Sequence, residues 1–368
     1  GGSLKVAVSR TKSALQSYQF VSKFGSYGTG AGQFKSLYDI AVDDNYIYVA
    51  DFTNARIQGF NKSTYAYVGQ VGFWYNYSVA IDANYIYGFS GGGNTIRIHN
   101  KSTYAYVDQF GYYNYPYSIA VDSERIYVIV GNWVVINNKT FPYAYVTAFG
   151  GPGSDNGKFN SIAGIAVDDN YIYVSDGGNY RIQIFNKTTY AFVDKFGSYG
   201  SGDGQFSRTR GITVDTQYIY VVDANNRIQI FNKTTYAFVG KFGSYGTGDG
   251  QFVYPYGVAV DSNYIYVTDS SNRRVQVFNK GTYAGGGSEK LFETTIPITQ
   301  SANTIQDYTT NIGILNATGK LYLNAELKNS IGQTIATSEY PFYIVDGNTV
   351  LLYSTDKKYY KPGETVTI

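Results

Sequence analysis

The side chains best suited to acid–base or nucleophilic chemistry are scarce in this sequence. It contains one histidine, His99, and no cysteine, so thiolate metal sites and cysteine nucleophiles are excluded. His99 occupies the strand position that Phe185 and Phe231 fill in similar segments, which predicts packing in the core. No serine stands in an identifiable nucleophile context near it, so Ser-His-Asp chemistry is not expected. We predict that the protein is not an enzyme and has no catalytic residue, metal site or cofactor.

Adjacent carboxylates recur in the chain, as at Asp43–Asp44 and Asp168–Asp169. Neighbouring residues of an extended strand point to opposite faces, so the two carboxylates of a pair cannot easily share one proton or one cation. Aspartate side chains commonly accept hydrogen bonds from the backbone of the turn that follows them. We therefore predict turn capping rather than acid–base or Ca²⁺ chemistry.

Four arginines open strands of similar sequence, and three of them end an Asp-x-x-Asn-x-Arg pattern. Two interpretations remain open at this point. The arginines can brace loops as ion pairs, or they can hold an acidic ligand at the mouth of the molecule. A less regular region adds aromatic candidates for a sugar- or protein-binding surface, namely Trp74, Tyr75, Tyr112, Tyr113, Tyr115 and Tyr117. The predicted ligand-face residues are Arg56, Arg181, Arg227, Arg274, Trp74 and Tyr113.

Asparagines in Asn-x-Ser/Thr sequences are the strongest functional signal. They are Asn61, Asn76, Asn100, Asn138, Asn186, Asn232 and Asn316. Most share one turn position, and a duplicated turn would copy any motif that it held, so repetition alone is an alternative explanation. Asn76 and Asn316, however, lie outside that turn. We predict N-linked glycans at these seven positions, which would place the chain at the cell surface or outside the cell.

The elements that position these residues are repeats of four short strands. An aspartate ends an apolar run at intervals of 39 to 47 residues, at Asp43, Asp82, Asp122, Asp168, Asp215 and Asp261. Each is followed by segments in which apolar and polar residues alternate, with turns between them. Alternation of this kind at a period of ~40–50 residues is the signature of a propeller blade. The sequence predicts an all-β protein with a six-bladed β-propeller over residues 18–284.

The last repeat has no outer strand, because Gly285–Ser288 interrupts it. The missing strand is present near the start of the chain, where Tyr18–Gly25 matches Tyr236–Gly243 almost residue for residue. We predict that this N-terminal strand completes blade 6. Such closure pairs a sheet edge that would otherwise be exposed.

Several loop motifs resemble those of NHL repeats. They are the Gly-x-Gly-x-Gly-Gln-Phe segments at 200–206 and 246–252, the Tyr-Pro-Tyr-Gly at 254–257, and the Asp-x-x-Asn-x-Arg pattern. The resemblance implies a propeller that works by binding, and it is weakest in blades 2 and 3, where these loops are missing. The glycine loops also superficially resemble dinucleotide-binding loops. A strand and not a helix follows them, however, so we expect tight turns between blades.

The remaining residues carry a weaker pattern. Beyond a glycine-rich linker at 285–288, strand-like runs predict an Ig-like β-sandwich over 289–354, including a run at Tyr308–Leu315. Residues 355–368 resemble the opening of the Ig-like modules of surface and macroglobulin-like proteins, so we expect a further module or a strand that pairs with another subunit. Residues 1–17 show no assignable pattern.

Composition narrows the partners. The net charge is +2 and no Lys/Arg-rich block appears, so a nucleic-acid partner is not expected. No apolar run approaches the ~18 residues of a transmembrane segment. The first hypothesis is an extracellular glycosylated scaffold of prokaryotic, archaeal type, such as a surface-layer, filament or adhesin subunit, which self-associates or contacts surface proteins and glycans. The alternative is a propeller that recognises a peptide, glycan or RNA on its Arg-lined loop face.

Overall fold

The computed structural model describes residues 2–11, 18–73, 76–90, 94–280, 288–298, 319–328, 334–344, 350–352 and 359–360, with side chains described within 18–280. Contacts divide the chain into two compact units. Residues 17–281 form one, and residues 1–16 together with 282–368 form the other. Among the described residues, no helix has the length and apolar character needed to cross a membrane.

The first unit is a propeller of six four-stranded antiparallel sheets, which confirms the predicted fold. The first strands of blades 1 to 6 are Leu37–Val42, Val79–Ile81, Pro116–Val121, Ile162–Val167, Thr209–Val214 and Pro255–Val260. The second strands are Tyr46–Asp51, Tyr85–Ser90, Arg125–Val130, Tyr171–Asp176, Tyr218–Asp223 and Tyr264–Asp269. The third strands are Arg56–Asn61, Thr95–Asn100, Trp133–Asn138, Arg181–Asn186, Arg227–Asn232 and Arg274–Asn279.

The outer strands close the ring. In blades 1 to 5 they are Tyr67–Gly72, Tyr106–Phe110, Tyr145–Gly150, Phe192–Phe196 and Phe238–Phe242. The outer strand of blade 6 is Phe20–Phe24, which pairs antiparallel with Arg274–Asn279. The predicted closure by the N-terminal strand is therefore confirmed. First strands of neighbouring blades also contact one another around the whole ring, blade 6 against blade 1 included.

The hydrophobic cores lie between blades rather than within them. Six clusters of buried residues each combine side chains of two adjacent blades. In the second strand of blade 1, Ile47, Tyr48 and Val49 are all fully buried, because the alternating side chains face blade 6 on one side and blade 2 on the other. Apolar burial contributes about 25 cal/mol per Å², so the stacking of blades, which buries these clusters, stabilises the propeller.

Short elements lie in the loops between blades and between strands of one blade. Ser26–Tyr27 pairs in parallel with Gln33–Phe34, and Ser198–Tyr199 pairs likewise with Gln205–Phe206. A 3-10 turn covers Gly177–Asn179. These elements belong to the loops that enter and leave the blades at one end of the propeller.

The second unit contains one six-stranded antiparallel sheet. Its strands, in spatial order, are Ser288–Ile298, Gly2–Thr11, Gly319–Lys328, Thr334–Ile344, Val350–Leu352 and Tyr359–Tyr360. Residues 2–11, which showed no pattern in the sequence, thus supply a central strand to this sheet. The strand predicted at Tyr308–Leu315 and most of the 355–368 tail lie outside the described residues. The Ig-like sandwich over 289–354 stays a prediction.

Candidate ligand-binding site

The two ends of the propeller carry different kinds of turn. At one end, the third-to-fourth-strand turns lie against the first-to-second-strand turns, as the hydrogen bond from the Lys62 backbone N–H to the Asn45 carbonyl (2.8 Å) shows. At the other end, the inter-blade glycine loops lie against the second-to-third-strand loops, since Arg56 Nη1 donates to the Thr29 carbonyl at 2.9 Å. We call the first end the turn face and the second the loop face.

The four arginines predicted to face a ligand are buried inside the loop face. Each is only 7–8% exposed. Each bonds a fully buried aspartate of its own blade, in the pairs Arg56–Asp51, Arg181–Asp176, Arg227–Asp223 and Arg274–Asp269, at 2.7–3.2 Å. The loop-bracing interpretation is therefore the one that the geometry supports, and these guanidinium groups do not form an open ligand surface.

Each arginine also collects carbonyl groups of the adjacent glycine loop. Arg274 Nη2 donates to the carbonyls of Gly248 (2.7 Å) and Gln251 (2.9 Å). Gly246 in the same loop has φ +151°, and a Cβ there would collide with the Gln251 side chain. The glycine pattern is thus a tight structural turn, as the sequence predicted, and not a phosphate-binding loop.

Of the aromatic candidates, Tyr115 and Tyr117 line the open cavity described below, whereas Tyr113 does not. Tyr113 is 9% exposed and donates a hydrogen bond to Asn137 Oδ1 at 2.9 Å, so it belongs to the core between blades 2 and 3. Trp74 lies outside the described residues. The prediction of a ligand contact at Tyr113 is therefore corrected to a packing role.

An open cavity of about 690 Å³ lies on the loop face above the central channel. Loops and first-strand starts of blades 3, 4, 5 and 6 line it, with residues Tyr115, Tyr117, Gly131, Asn132, Asn160, Ser161, Ile162, Ala163, Arg208, Arg210, Tyr254 and Tyr256. The lining contains two arginines and no aspartate or glutamate. Its volume falls in the range of ~300–1,000 Å³ that is typical of small-ligand sites. We call this cavity the channel mouth.

Two arginines of blade 5 define the polarity of the channel mouth. Arg210 lies between two tyrosines, with its guanidinium carbon 4.7 Å from the ring centres of both Tyr254 and Tyr256, and Nη1 donates to the Pro255 carbonyl at 2.7 Å. Burial lowers the pKa of Arg210. Arg208 is exposed and donates to Ser161 Oγ at 2.6 Å. Among the described residues, neither arginine has a carboxylate within salt-bridge distance.

Below the channel mouth, tyrosines narrow the channel. Tyr38 contacts the rings of Tyr256 (4.5 Å) and Tyr77 (5.3 Å), and Tyr77 stacks on Tyr117 at 5.3 Å. Only about 40 Å³ remains open between them. Asp39 lines this constriction and accepts hydrogen bonds from Ser78 Oγ and the Val79 backbone N–H. Burial raises the pKa of the Asp39 carboxyl despite these bonds.

The sequence contained a signal for the channel mouth that the repeat analysis did not use. Tyr115-Pro-Tyr117 of blade 3 and Tyr254-Pro-Tyr256 of blade 6 occupy equivalent positions at the start of their first strands. Blade 5 has Arg208-Thr-Arg210 in the same positions. A departure from the repeat at aligned positions, rather than the repeat itself, marks the arginines that face the cavity.

On the turn face, a lysine of each blade pairs with an aspartate of the preceding blade. The pairs are Lys62–Asp261 (3.1 Å), Lys101–Asp43 (2.8 Å), Lys139–Asp82 (2.7 Å), Lys187–Asp122 (3.2 Å), Lys233–Asp168 (3.0 Å) and Lys280–Asp215 (2.6 Å). Together they form a closed circuit, which we call the lysine–aspartate belt. The pattern within one repeat does not predict this belt, because each pair joins residues of different repeats.

The belt aspartates also cap turns, as predicted for them. Asp82 Oδ1 accepts hydrogen bonds from the backbone N–H groups of Asn84 and Tyr85, both at 2.8 Å, and Oδ2 accepts one from Tyr87. Burial raises the pKa of the Asp82 carboxyl, but Lys139 and these bonds outweigh it, so the pKa is lower than usual. The same net lowering holds for Asp122, Asp168, Asp215 and Asp261.

Five of the predicted glycosylation sites lie on the turn face. In four of them, Asn61, Asn100, Asn186 and Asn232, the side-chain oxygen accepts hydrogen bonds from backbone N–H groups two and three residues on. The fifth, Asn138, is also partly exposed.

Asn76 is a correction to the predicted set. It is fully buried, and its Oδ1 accepts a hydrogen bond from the Phe89 backbone N–H at 2.8 Å. A glycan at that position is incompatible with the folded propeller. Asn316 lies outside the described residues.

The described residues offer no constellation for metal binding, since nowhere do three His, Asp or Glu side chains converge. His99 is buried, with Nδ1 3.1 Å from the Tyr104 carbonyl and its ring against Phe73. Burial lowers its pKa. The predicted packing role of His99 is confirmed.

Comparison with known proteins identifies NHL repeats at residues 159–185 and 252–278, which fall in blades 4 and 6. No curated protein matches the chain. The protein is thus a six-bladed β-propeller that contains NHL repeats. The presence of NHL repeats in a propeller suggests a role in protein–protein interaction or ligand binding.

Proposed function

We propose that this protein is a non-catalytic binding propeller of the cell surface or extracellular space, which holds a ligand in the channel mouth and carries N-linked glycans on the turn face. The observation that carries the proposal is that the two ends of the propeller expose different groups. The loop face has an open cavity with two arginines that lack a carboxylate partner among the described residues, whereas the turn face has the repeated glycosylation sequences.

The channel mouth supports a binding role because its polar groups are available. Tyr115 and Tyr254 are 82% and 57% exposed at its rim, where their rings offer apolar contact area and hydroxyl groups together. The guanidinium of Arg208 is exposed beside them. A mostly preformed cavity with a few convergent polar groups is the usual form of a ligand site.

The turn-face sequences support glycosylation because part of the motif has no structural use. The asparagine caps the turn and the lysine after it joins the belt, as Asn61 and Lys62 show. The hydroxyl residue that completes the motif is exposed and makes no side-chain hydrogen bond within the described structure, in Ser63, Ser102, Thr140, Thr188 and Thr234 alike. Folding alone therefore does not explain why a hydroxyl is retained there.

Glycopeptide mass spectrometry of the native protein tests this part of the proposal. We expect hexose-containing mass additions on most of Asn61, Asn100, Asn138, Asn186 and Asn232, and none on buried Asn76, which serves as the internal control. Unmodified asparagines at all five turn positions would contradict an extracellular glycoprotein.

A second candidate function, assembly into a surface layer or filament, is favoured by the outer strands. Apolar residues on these strands are exposed on most blades, among them Val21, Val68, Val107, Val146 and Val193. An exposed strand edge with apolar side chains can pair with another copy. Analytical ultracentrifugation of the full chain, and of a chain without residues 355–368, tests this candidate. Ordered self-association of the full chain supports it. Loss of association in the shortened chain would place the contact between subunits in residues 355–368.

A further inference from the structure

The chemistry of the channel mouth identifies a class of ligand. We propose that it binds an acidic peptide segment, with a carboxylate held by Arg208 and the neighbouring side chains packed against Tyr115 and Tyr254. This inference rests on the binding role proposed above and adds the ligand's identity.

The charge of the cavity lining favours an acidic ligand. Arg208 and Arg210 both line the cavity, and no carboxylate lines it. The four repeated arginines of the loop face, such as Arg274, are instead paired with buried aspartates. Two guanidinium groups without an acidic partner among the described residues therefore face one cavity. A carboxylate can bind a guanidinium group through both of its oxygens, each of which accepts one N–H hydrogen bond.

The two arginines differ in how firmly their guanidinium groups are held. Arg210 is fixed by two tyrosine rings and by the Pro255 carbonyl, so it supplies a positioned positive charge. Within the part of the chain that the structure describes, the Arg208 guanidinium makes one hydrogen bond, to Ser161 Oγ, and its other N–H groups have no partner there. Arg208 is therefore the residue that contacts the carboxylate, and Arg210 is a positioning residue beneath it.

The polar groups of the lining match a peptide better than a glycan. A neutral sugar would leave the two positive charges of the lining uncompensated, whereas a carboxylate compensates them. A carboxylate side chain only accepts, which matches groups that only donate. The exposed amide of Asn160 can both donate to and accept from a peptide bond, and the exposed tyrosine rings suit apolar side chains.

The number of cations in the channel mouth matches an acidic peptide better than a nucleic acid. Binding to phosphate chains depends on many cations that release counterions together. The channel mouth has two cations, and the whole chain has a net charge of +2. A few carboxylates match this number of cations better than a polyphosphate does.

Fluorescence anisotropy with the full chain tests the proposal. The probe is a fluorescein-labelled peptide of six glutamates, with a labelled hexalysine peptide, a labelled oligogalacturonate and a labelled hexauridylate as comparisons. We expect the glutamate peptide to bind best, with weaker binding at higher salt concentration. Arg208→Ala should weaken this binding at least about tenfold, which corresponds to one charge-assisted contact, and Arg208→Lys should restore part of it.

The matched control is Lys195→Ala, which removes one exposed positive charge from an outer strand outside the cavity. It should leave the affinity unchanged. Equal losses in Lys195→Ala and Arg208→Ala, or no binding of the glutamate peptide, would overturn the proposal. Tighter, Arg208-dependent binding of the galacturonate or uridylate probe would overturn the peptide assignment but keep the binding role. If none of the four probes binds the parent protein, the binding role proposed for the channel mouth fails together with the peptide assignment.

Discussion

The two faces of the propeller use charge in opposite ways. On the turn face, every blade supplies the same lysine and the same aspartate, and all six pairs are satisfied between neighbouring blades. On the loop face, four arginines are satisfied in the same repeated manner, but Arg208 and Arg210 break the pattern and face an open cavity. The repeated charged residues thus hold the fold together, whereas the two arginines that replace tyrosines at the start of the blade 5 first strand are the ones that we propose for ligand recognition.

The largest expected effect comes from breaking the ring itself. Replacing residues 18–25 with a glycine-serine linker of equal length removes the outer strand of blade 6 and buried Tyr18. It also removes the Phe24–Phe60 ring contact (4.8 Å) between blades 6 and 1. We expect the free energy of unfolding to fall by more than about 4 kcal/mol, measured by denaturant titration of tyrosine fluorescence.

The control for this change is Lys23→Ala. Lys23 lies in the same strand, but its ion pair with Asp249 is about half exposed on both sides, so its loss should cost less than about 1 kcal/mol. If the linker variant and Lys23→Ala were equally stable, the closing strand would not hold the ring together.

The next effect compares a repeated arginine with one that departs from the repeat. Arg274→Ala leaves Asp269 fully buried without its partner, which should cost about 3–5 kcal/mol. Arg208→Ala removes an exposed side chain and should change stability by less than about 0.5 kcal/mol. Thermal unfolding of both variants checks the difference. An unstable Arg208→Ala protein with a stable Arg274→Ala protein would reverse our assignment of the two roles.

These cases show what the sequence could predict and why. The blades and their closure were predictable because alternation at Asn45–Val49 and its copies fixes which side chains are buried, and because Tyr18–Gly25 repeats an outer strand. The loop-bracing pairs were one of two open interpretations, since spacing within one loop does not reveal whether Arg56 is buried.

The belt and the channel mouth were beyond the sequence for a different reason. Lys101 pairs with Asp43 of the preceding blade, and the channel mouth joins four blades at the axis. Contacts between repeats depend on how blades are rotated about the channel, which the pattern within one repeat does not contain. Residues 2–11 illustrate the same limit, because their partners begin nearly 280 residues away.

A smaller effect is expected from one link of the belt. Asp82→Asn keeps the size of the side chain but removes its charge beside Lys139, and we expect a loss of about 1–2 kcal/mol at pH 7 because hydrogen bonds to a charged group are lost. The folded pKa of Asp82 lies below its ordinary value of 3.8. Its stabilisation is therefore present above pH 3.8 and is lost as the pH falls through the folded pKa.

The pH dependence sharpens this prediction. The melting temperature of the parent protein should fall as the pH decreases from 5 to 2, and the difference between parent and Asp82→Asn should shrink over the same interval. Asp44→Asn is the control, because Asp44 follows a belt aspartate but belongs to no belt pair. A constant difference between parent and Asp82→Asn across this pH range would contradict a charged Asp82 in the belt.

The smallest expected effect on stability distinguishes folding from modification on the turn face. Ser63→Ala removes an exposed hydroxyl that bonds nothing in the described structure, so an unglycosylated protein should lose less than about 0.5 kcal/mol. Asn61→Ala in the same background removes the acceptor of the Ser63 and Thr64 backbone N–H groups and should cost about 1 kcal/mol. In the native host, both variants should lose the glycan at Asn61, because the motif needs both residues. A glycan that persists in Ser63→Ala would show that modification does not need the hydroxyl. A Ser63→Ala protein as unstable as Asn61→Ala would show that the hydroxyl stabilises the turn.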